Sequence, residues 1–326
     1  MNHLERSLRN FLANNPLDRQ GVKRRDNTWL EEQLHNPATR IVPMWQSKNL
    51  FVSEHSPTPI FVTPDIVADL LPTGEPIFLG TWQNTSYFAL DIVSETPPEA
   101  ITALGSFQDL RFRPGIDPQL AAILGYAKGL IYWHSRHRYC SDCGSPSASR
   151  DGGFVRICMS STCGKSHFPR TDMAIIVVVH GVDEAGNERC LLARQPTWPP
   201  GRYSVIAGFV EPGESLEAAV AREVKEETDI DVQSIEYHSS QPWPFPGSLM
   251  LGFMAQASSH EITTVDQELE HARWFTRQEL KDSIVSGQLK LPPMTAISYR
   301  LIESWFDGPE GKLSDLTDGG DFLRTR

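Results

Sequence analysis

The chain has no apolar run long enough to cross a membrane as a helix: the longest, residues 173–179, falls far short of the roughly 18 residues required. A secretory signal is lacking too, since MNHLERSLRN mixes both charge signs without an apolar stretch, and the setting is read as cytoplasmic. Cysteine is scarce, five in 326 residues, which excludes a disulfide scaffold. Four of the five nevertheless crowd into 24 positions, a clustering that favours a metal site. Basic residues are in deficit, 30 against 41 acids, for a net charge of −11. Taken whole, that excess repels phosphate and argues against nucleotide or nucleic-acid partners. Internal repeats and low-complexity tracts are missing. With 40% hydrophobic and 22% charged residues, the chain reads as globular, at a length suited to two or three domains of roughly 100–200 residues each.

Up to residue 132, short apolar runs alternate with proline and Ser/Thr punctuation: Ile41-Val42, Leu50-Phe51-Val52, Ile60-Phe61-Val62, Ile77-Phe78-Leu79 and Tyr87-Phe88-Ala89-Leu90. This suits a small β-rich domain. Over 117–134 the spacing of Leu120, Ile123, Leu124, Ala127, Leu130 and Ile131 predicts an amphipathic helix, capped by Asp117 with Pro118 in its first turn. Residues 135–170 are poor in aliphatic side chains, so a metal is expected to hold them together. The register then turns α/β: a buried strand at 173–179, its hairpin partner at 189–193, and a helix at 215–228. The last dozen residues read as a frayed polar tail.

Cys140-x2-Cys143 and Cys158-x4-Cys163 form two chelating pairs fourteen residues apart. Zn²⁺ closes tetrahedrally on four sulfurs, which predicts a structural zinc and leaves no open position for catalysis. The looser x4 spacing keeps His167 or His137 open as a replacement for one thiolate. Cys190, inside an apolar run, reads as a small core residue.

The stretch from Gly208 to Ile230 is the most informative. Leu216, Ala219 and Val220 mark an apolar helix stripe, and Glu223 and Glu227 continue it, with Glu226 beside them. A solvated acidic face is the plain alternative, but here the carboxylates lie on the apolar stripe. Like charges at that spacing destabilise a helix. Oxygen ligands at i, i+3 and i+4 suit Mg²⁺ or Mn²⁺ carrying substrate phosphates, and Arg222 is placed to hold one carboxylate by a bidentate pair.

These residues resemble the Nudix box, G-x5-E-x7-R-E-U-x-E-E-x-G-U, where U is aliphatic. Gly208, Glu214, Arg222, Glu223, Val224, Glu226, Glu227 and Ile230 match it. The departure is Asp229 in the place of glycine, and aspartate tolerates the left-handed turn better than most residues. The resemblance implies an α/β (α+β) fold class, with a Nudix α/β/α sandwich and mixed sheet behind a zinc ribbon and a β-rich amino-terminal domain. It also implies metal ions on Glu223, Glu227, Glu226 and the Ala207 carbonyl, with water attacking a phosphorus of a pyrophosphate. Whether Glu226, Glu227 or a downstream carboxylate is the general base stays open.

Thirteen residues on comes Ser240-Gln241-Pro242-Trp243-Pro244-Phe245-Pro246-Gly247-Ser248. Three prolines stiffen the loop; Trp243 and Phe245 offer ring faces, and Gln241 and Ser248 polar anchors. A proline-rich ligand for an SH3 or WW domain explains the prolines but not their place inside the catalytic fold. The segment is similar to SQPWPFPxS, the mark of the NADH pyrophosphatase branch, which also carries a zinc ribbon between its two domains. Leu17-Asp18-Arg19, Trp29-Leu30 and Pro43-x-Trp45 resemble the leading domain more weakly. On this basis the domains are 1–132, 133–170 for the ribbon and 171–326 for the Nudix domain. The resemblance adds Glu268 as a further metal ligand, and Phe168 and Ser298 to the substrate-binding set, Phe168 standing where a tyrosine is frequent.

The resemblance thus implies metal-dependent cleavage of NADH, and less readily NAD⁺, into nicotinamide mononucleotide and AMP, in a homodimer. Removal of the NAD cap from RNA 5′ ends uses the same bond, and a broader dinucleotide or ADP-ribose hydrolase is a further enzyme reading. A zinc-ribbon nucleic-acid adapter with a decayed Nudix domain is the non-enzyme reading, and the complete set of glutamates speaks against it. The charge fits the enzyme: residues 208–236 hold nine acids and two bases, residues 261–270 four acids and no base, and the rest of the chain has 28 of each sign. The acidity lies where cations are expected to gather phosphate, and bound cations reverse its local sign.

Overall fold

The computed structural model describes residues 1–72, 74–111, 113–264, 268–308 and 311–316. The tail read as frayed lies almost wholly outside them, as do residues 265–267 of the second acidic stretch. Two units emerge, one formed by 14–171 with 243–248, the other by 1–13, 172–242 and 249–326. Residues 1–13, expected with the amino-terminal domain, therefore fold with the carboxy-terminal unit. After the short helix α1 (His3–Leu8), Asn10 is buried and its Nδ2 donates to Ser239 Oγ at 3.2 Å and to the Ser240 carbonyl at 2.9 Å. Ser240 N–H donates to Ser7 Oγ. A buried amide needs partners, and only the strand around Ser239 supplies them here.

In the 14–171 unit, helix α2 (Asn27–His35) precedes β1 (Arg40–Trp45), β2 (Lys48–Phe51), β3 (Ile77–Trp82), β4 (Thr85–Ile92), the short helix α3 (Glu99–Thr102) and β5 (Ser106–Gln108). The strands form a sheet in the order β3-β4-β1-β2-β5, with β1 parallel to β4. Four of the five apolar runs lie on these strands; Ile60-Phe61-Val62 makes only an isolated bridge, between Val62 and Ile41. Pro57, Pro59 and Pro64 around it remove donors that a ladder needs. Helix α4 (Pro118–Arg136) starts as the sequence predicts, with the Asp117 carboxylate accepting from Gln119 and Leu120 N–H. A small antiparallel sheet follows: β6 (Ser147–Arg150), β7 (Val155–Cys158) and β8 (Ser166–His167).

The other unit is built on β9 (Asp172–Val182), whose alternating side chains divide two cores. Ile175, Val177 and Val179 pack with Ala219, Val220 and Val224 of helix α5 (Leu216–Thr228), while Ile176 and Val178 pack with Leu280, Leu301 and Ile302 on the other side. The period-two geometry of a strand buried on both faces thus produces a three-layer sandwich. The strands β10 (Glu188–Arg194), β11 (Ile206–Phe209), β12 (Val232–Trp243), β13 (Ser248–Ala257) and β14 (His271–Thr276) complete a sheet ordered β12-β13-β9-β10-β14, with β11 also antiparallel to β9. Helices α6 (Arg277–Val285) and α7 (Ile297–Phe306) cover the face opposite α5. Cys190 on β10 is fully buried in this core. None of the described helices is long and apolar enough to cross a membrane.

Candidate active site and zinc centre

Strand β11 delivers the backbone to the glutamate helix. Ala207 faces outward opposite Ile176, and Gly208 comes under the start of the carboxylate row. A Cβ at 208 would fall on the Glu223 carboxylate, so any larger residue must push that carboxylate aside. Gly208→Ala is therefore expected to displace Glu223 by about an ångström and lower kcat on the order of 100-fold, with the fold kept. Turnover beside a melting curve checks this; parent-like turnover would overturn it.

Ser215 Oγ caps α5 by accepting from Ala218 N–H at 3.2 Å. Arg222 is the clamp of the site. Its Nε and Nη2 grip Glu214 in a bidentate pair at 3.1 and 2.7 Å, its Nη1 reaches Glu223 at 2.9 Å and Glu226 at 3.0 Å, and Nη2 also donates to the Phe209 carbonyl. The bidentate partner is thus Glu214, on the loop before the helix, and this pairing fastens the loop to α5. The hydrogen bonds from Arg222 hold the Glu214 carboxyl below its usual range, and Glu214 in return keeps Arg222 firmly protonated. Glu223 goes the other way: burial raises its pKa against the pull of Arg222, and Glu226 and Glu268 add repulsion. A partly buried carboxylate in an acidic neighbourhood favours a cation as partner.

The three helix glutamates differ in burial. Glu227 is 5% exposed, among the apolar side chains of the stripe, whereas the Glu226 side chain is 55% exposed. The helix ends at Asp229, which takes the left-handed conformation (φ 58°, ψ 15°), and Lys225 pairs with its carboxylate at 2.7 Å. The oxygens of Glu223, Glu226, Glu227 and Glu268 do not close into a cluster within 4.8 Å; among the described residues only the four cysteines do so.

Of the proline loop, residues 243–248 belong to the unit that contains α4. Trp243 and Phe245 meet edge to face, with centroids 5.0 Å apart at 75°, so the two rings cannot clamp a base between parallel faces. The Arg111 guanidinium stands 5.4 Å over Trp243, and Lys128 Nζ 5.5 Å over Phe245. Pro244 is buried, and Gly129 of α4 faces it closely; Pro242 and Pro246 are exposed, Gly247 and Ser248 half-buried. Lys128 was legible in principle, as a lysine on the buried stripe of α4. Gln241 departs from its expected role as a ligand anchor. It is 1% exposed; its Nε2 donates to the Phe11 and Thr295 carbonyls and its Oε1 accepts from Ile297 N–H, so the carboxamide is a brace. Ser298, next along α7, is 5% exposed and packed within the unit, whereas Phe168, in the 14–171 unit, is 59% exposed.

All four sulfurs of Cys140, Cys143, Cys158 and Cys163 lie within 4.8 Å of one another. Cys140 and Cys163 are 3.8 Å apart and Cys143 and Cys158 3.4 Å, close to the roughly 3.8 Å edge of a tetrahedron with 2.3 Å Zn–S bonds. The donor set fits structural zinc. Hydrogen bonds from Ser145 hold the Cys143 thiol down, while desolvation and then the crowding of the neighbouring sulfurs push the Cys158 and Cys163 thiols up, the latter a mutual repulsion that a bound cation would relieve. Neither histidine replaces a sulfur: His167 Nε2 lies 3.3 Å from Cys140 Sγ as an outer partner, and His137 stacks on Trp133 with Nδ1 at the Trp133 carbonyl. Outer partners of this kind orient metal ligands.

A helix carrying buried glutamates on one face of a two-sided sheet, locked to its loop by an Arg–Glu clamp over a bare glycine, defines a Nudix hydrolase domain. Residues 171–295 match the NUDIX domain family model, residues 38–133 the NADH pyrophosphatase-like rudimentary NUDIX domain, and residues 135–168 the NADH pyrophosphatase zinc ribbon domain. Over 247 residues the chain is 42% identical to the NAD-capped RNA hydrolase NudC of Stutzerimonas stutzeri, spanning 76% of this chain and 79% of that one. It is 32% identical over 345 residues to the NAD-capped RNA hydrolase NUDT12 of Homo sapiens, spanning 91% and 73%. The chain belongs to the Nudix hydrolases, in their NADH pyrophosphatase branch.

Proposed function

We propose that the protein hydrolyses the pyrophosphate bond of NADH, and less readily of NAD⁺, releasing nicotinamide mononucleotide and AMP. The observation that carries this reading is the pair Glu223 and Glu226 held by Arg222, with Glu223 over Gly208 and the buried Glu227 on the same helix, in a chain that also holds the Trp243–Ser248 loop. Glu223, Glu226, Glu227, Glu268 and the Ala207 carbonyl would hold Mg²⁺ or Mn²⁺. The bound cation supplies charge neutralisation at the phosphate oxygens and a lowered pKa for the attacking water. Water oxygen bonds to one phosphorus, the bridging P–O bond breaks, and the second phosphate leaves with the bond's electron pair. The water proton passes to a glutamate; Glu226, Glu227 and Glu268 are the candidates, and single Gln variants with pH–rate profiles separate them.

NAD-cap removal from RNA is the second reading, supported by the activity in the names of both relatives and by the identity of the bond cut. The same reading carries a ribbon at 133–170 between a leading domain, without residues 1–13, and the Nudix domain, together with a cytoplasmic setting and a homodimer. The test is to resolve products from NADH, NAD⁺, ADP-ribose, diadenosine polyphosphates and NAD-capped RNA under Mg²⁺ and Mn²⁺. AMP release from NADH is expected, and intact NADH with folded protein under both metals sinks the proposal. Trp243→Ala is expected to lower kcat/KM for NADH about tenfold while ADP-ribose turnover stays near parent, because one stacking face is worth roughly 1–3 kcal/mol. Equal losses for both substrates would assign Trp243 to folding of the loop instead.

A further inference from the structure

On the sheet face opposite α5, helix α7, edge strand β12 and the leading segment line a solvent-open cavity of about 220 Å³. Three arginines line it, Arg6, Arg9 and Arg300, together with Met1, His238, Ser304, Glu303 and Asp307, and Arg9 Nη1 donates to Met1 Sδ at 3.7 Å. Glu303 takes Arg300 Nη1 through both oxygens at 3.1 and 3.0 Å and Arg9 at 3.5 Å, and Asp307 accepts from Leu313 N–H at 2.8 Å. Arg6 forms no ion pair among the described residues, and Arg300 Nε is buried without a hydrogen-bond partner.

The resulting positive surplus registers on His238. Burial first, then Arg6, His3 and Arg9, push its pKa down to about 4. Ser239 Oγ accepts from Asn10 Nδ2 and lies 2.8 Å from His238 Nδ1, which ties the ring to the strand on that side. A cavity of this size is below the roughly 300–1,000 Å³ of sites that enclose a whole drug-sized ligand. Guanidinium forks match oxyanions, phosphate above all.

We propose that this cavity binds a phosphate group, as orthophosphate or as the terminal phosphate of a nucleoside monophosphate, at a site separate from the glutamate helix. The sandwich keeps the two apart, because α5 and α7 cover opposite faces of one sheet. A nucleoside monophosphate is a product of the proposed hydrolysis, so occupancy would report product level at a second position.

The experiment titrates the zinc-loaded full chain, without divalent metal and at constant ionic strength, with orthophosphate, AMP and adenosine, by calorimetry and thermal shift. Saturable one-to-one binding of orthophosphate is expected. Arg6→Gln should weaken it at least about tenfold, the worth of one charge-assisted hydrogen bond. The same variant should raise the His238 pKa seen by NMR and leave NADH turnover in phosphate-free buffer unchanged. Competition by AMP and not by adenosine assigns the site to phosphomonoesters as well; no competition restricts it to the free anion. Stabilisation that chloride reproduces, or orthophosphate binding that Arg6→Gln leaves intact, overturns the proposal, and neither result touches the assignment of the glutamate site.

Discussion

Glu227→Gln is expected to abolish AMP release from NADH, lowering kcat by about three orders of magnitude or more while zinc content and melting temperature stay near parent. The substitution keeps shape and one acceptor oxygen but removes a charge from the most buried carboxylate of the row. A cation at this site supplies several kcal/mol of transition-state stabilisation, and every 1.36 kcal/mol forfeited is tenfold in rate. Glutamine is a poor ligand for a hard dication, so the loss should appear in kcat at all Mg²⁺ concentrations, with partial relief at high Mn²⁺. Product analysis over hours, against Glu217→Gln on the first turn of α5 as control, makes the measurement. Retention of even a tenth of parent turnover would remove Glu227 from the metal set.

The second large effect concerns zinc. One zinc per chain is expected by native mass spectrometry, and stripping it with a strong chelator, or Cys158→Ser, should unfold residues 138–168. Structural zinc contributes on the order of 10–16 kcal/mol in small domains, comparable with the whole stability of a typical domain. This stretch has little else to hold it, since Val155 is its one buried aliphatic side chain larger than alanine among the described residues, apart from the cysteines. Limited proteolysis should therefore cut the stripped protein between Cys140 and Phe168 and spare the loaded one. Equal resistance of both, with no zinc in the mass, would refute a structural metal.

Much of this was legible in the sequence because it depends on short-range geometry. Two chelating pairs announce a metal site, since one turn fixes where two thiolates point. The αL conformation of Asp229 follows from the helix end and the tolerance of aspartate for positive φ. The apolar stripe of α5 placed Glu227 inward from periodicity alone, whereas the exposure of Glu226, set beside it in the sequence reading, emerged only in the structure. Ile60–Val62 misled, because apolar composition suggests a strand while the surrounding prolines withhold the donors.

The sequence by itself thus determined the cysteine cluster as a metal site, the glutamate helix with its turn at Asp229, and the family. Each is set within a few residues by backbone pitch or chelate bite. Only the tertiary structure decided that Glu214 takes the bidentate grip of Arg222, that the Glu223 carboxylate occupies the space a side chain at 208 would take, and that Gln241 braces backbone. It also decided that residues 1–13 join the carboxy-terminal unit, leaving Arg6 near His238. Those outcomes rest on partners far apart in the chain, chosen by which buried polar group must be satisfied and which space remains. Local propensity carries no information about either.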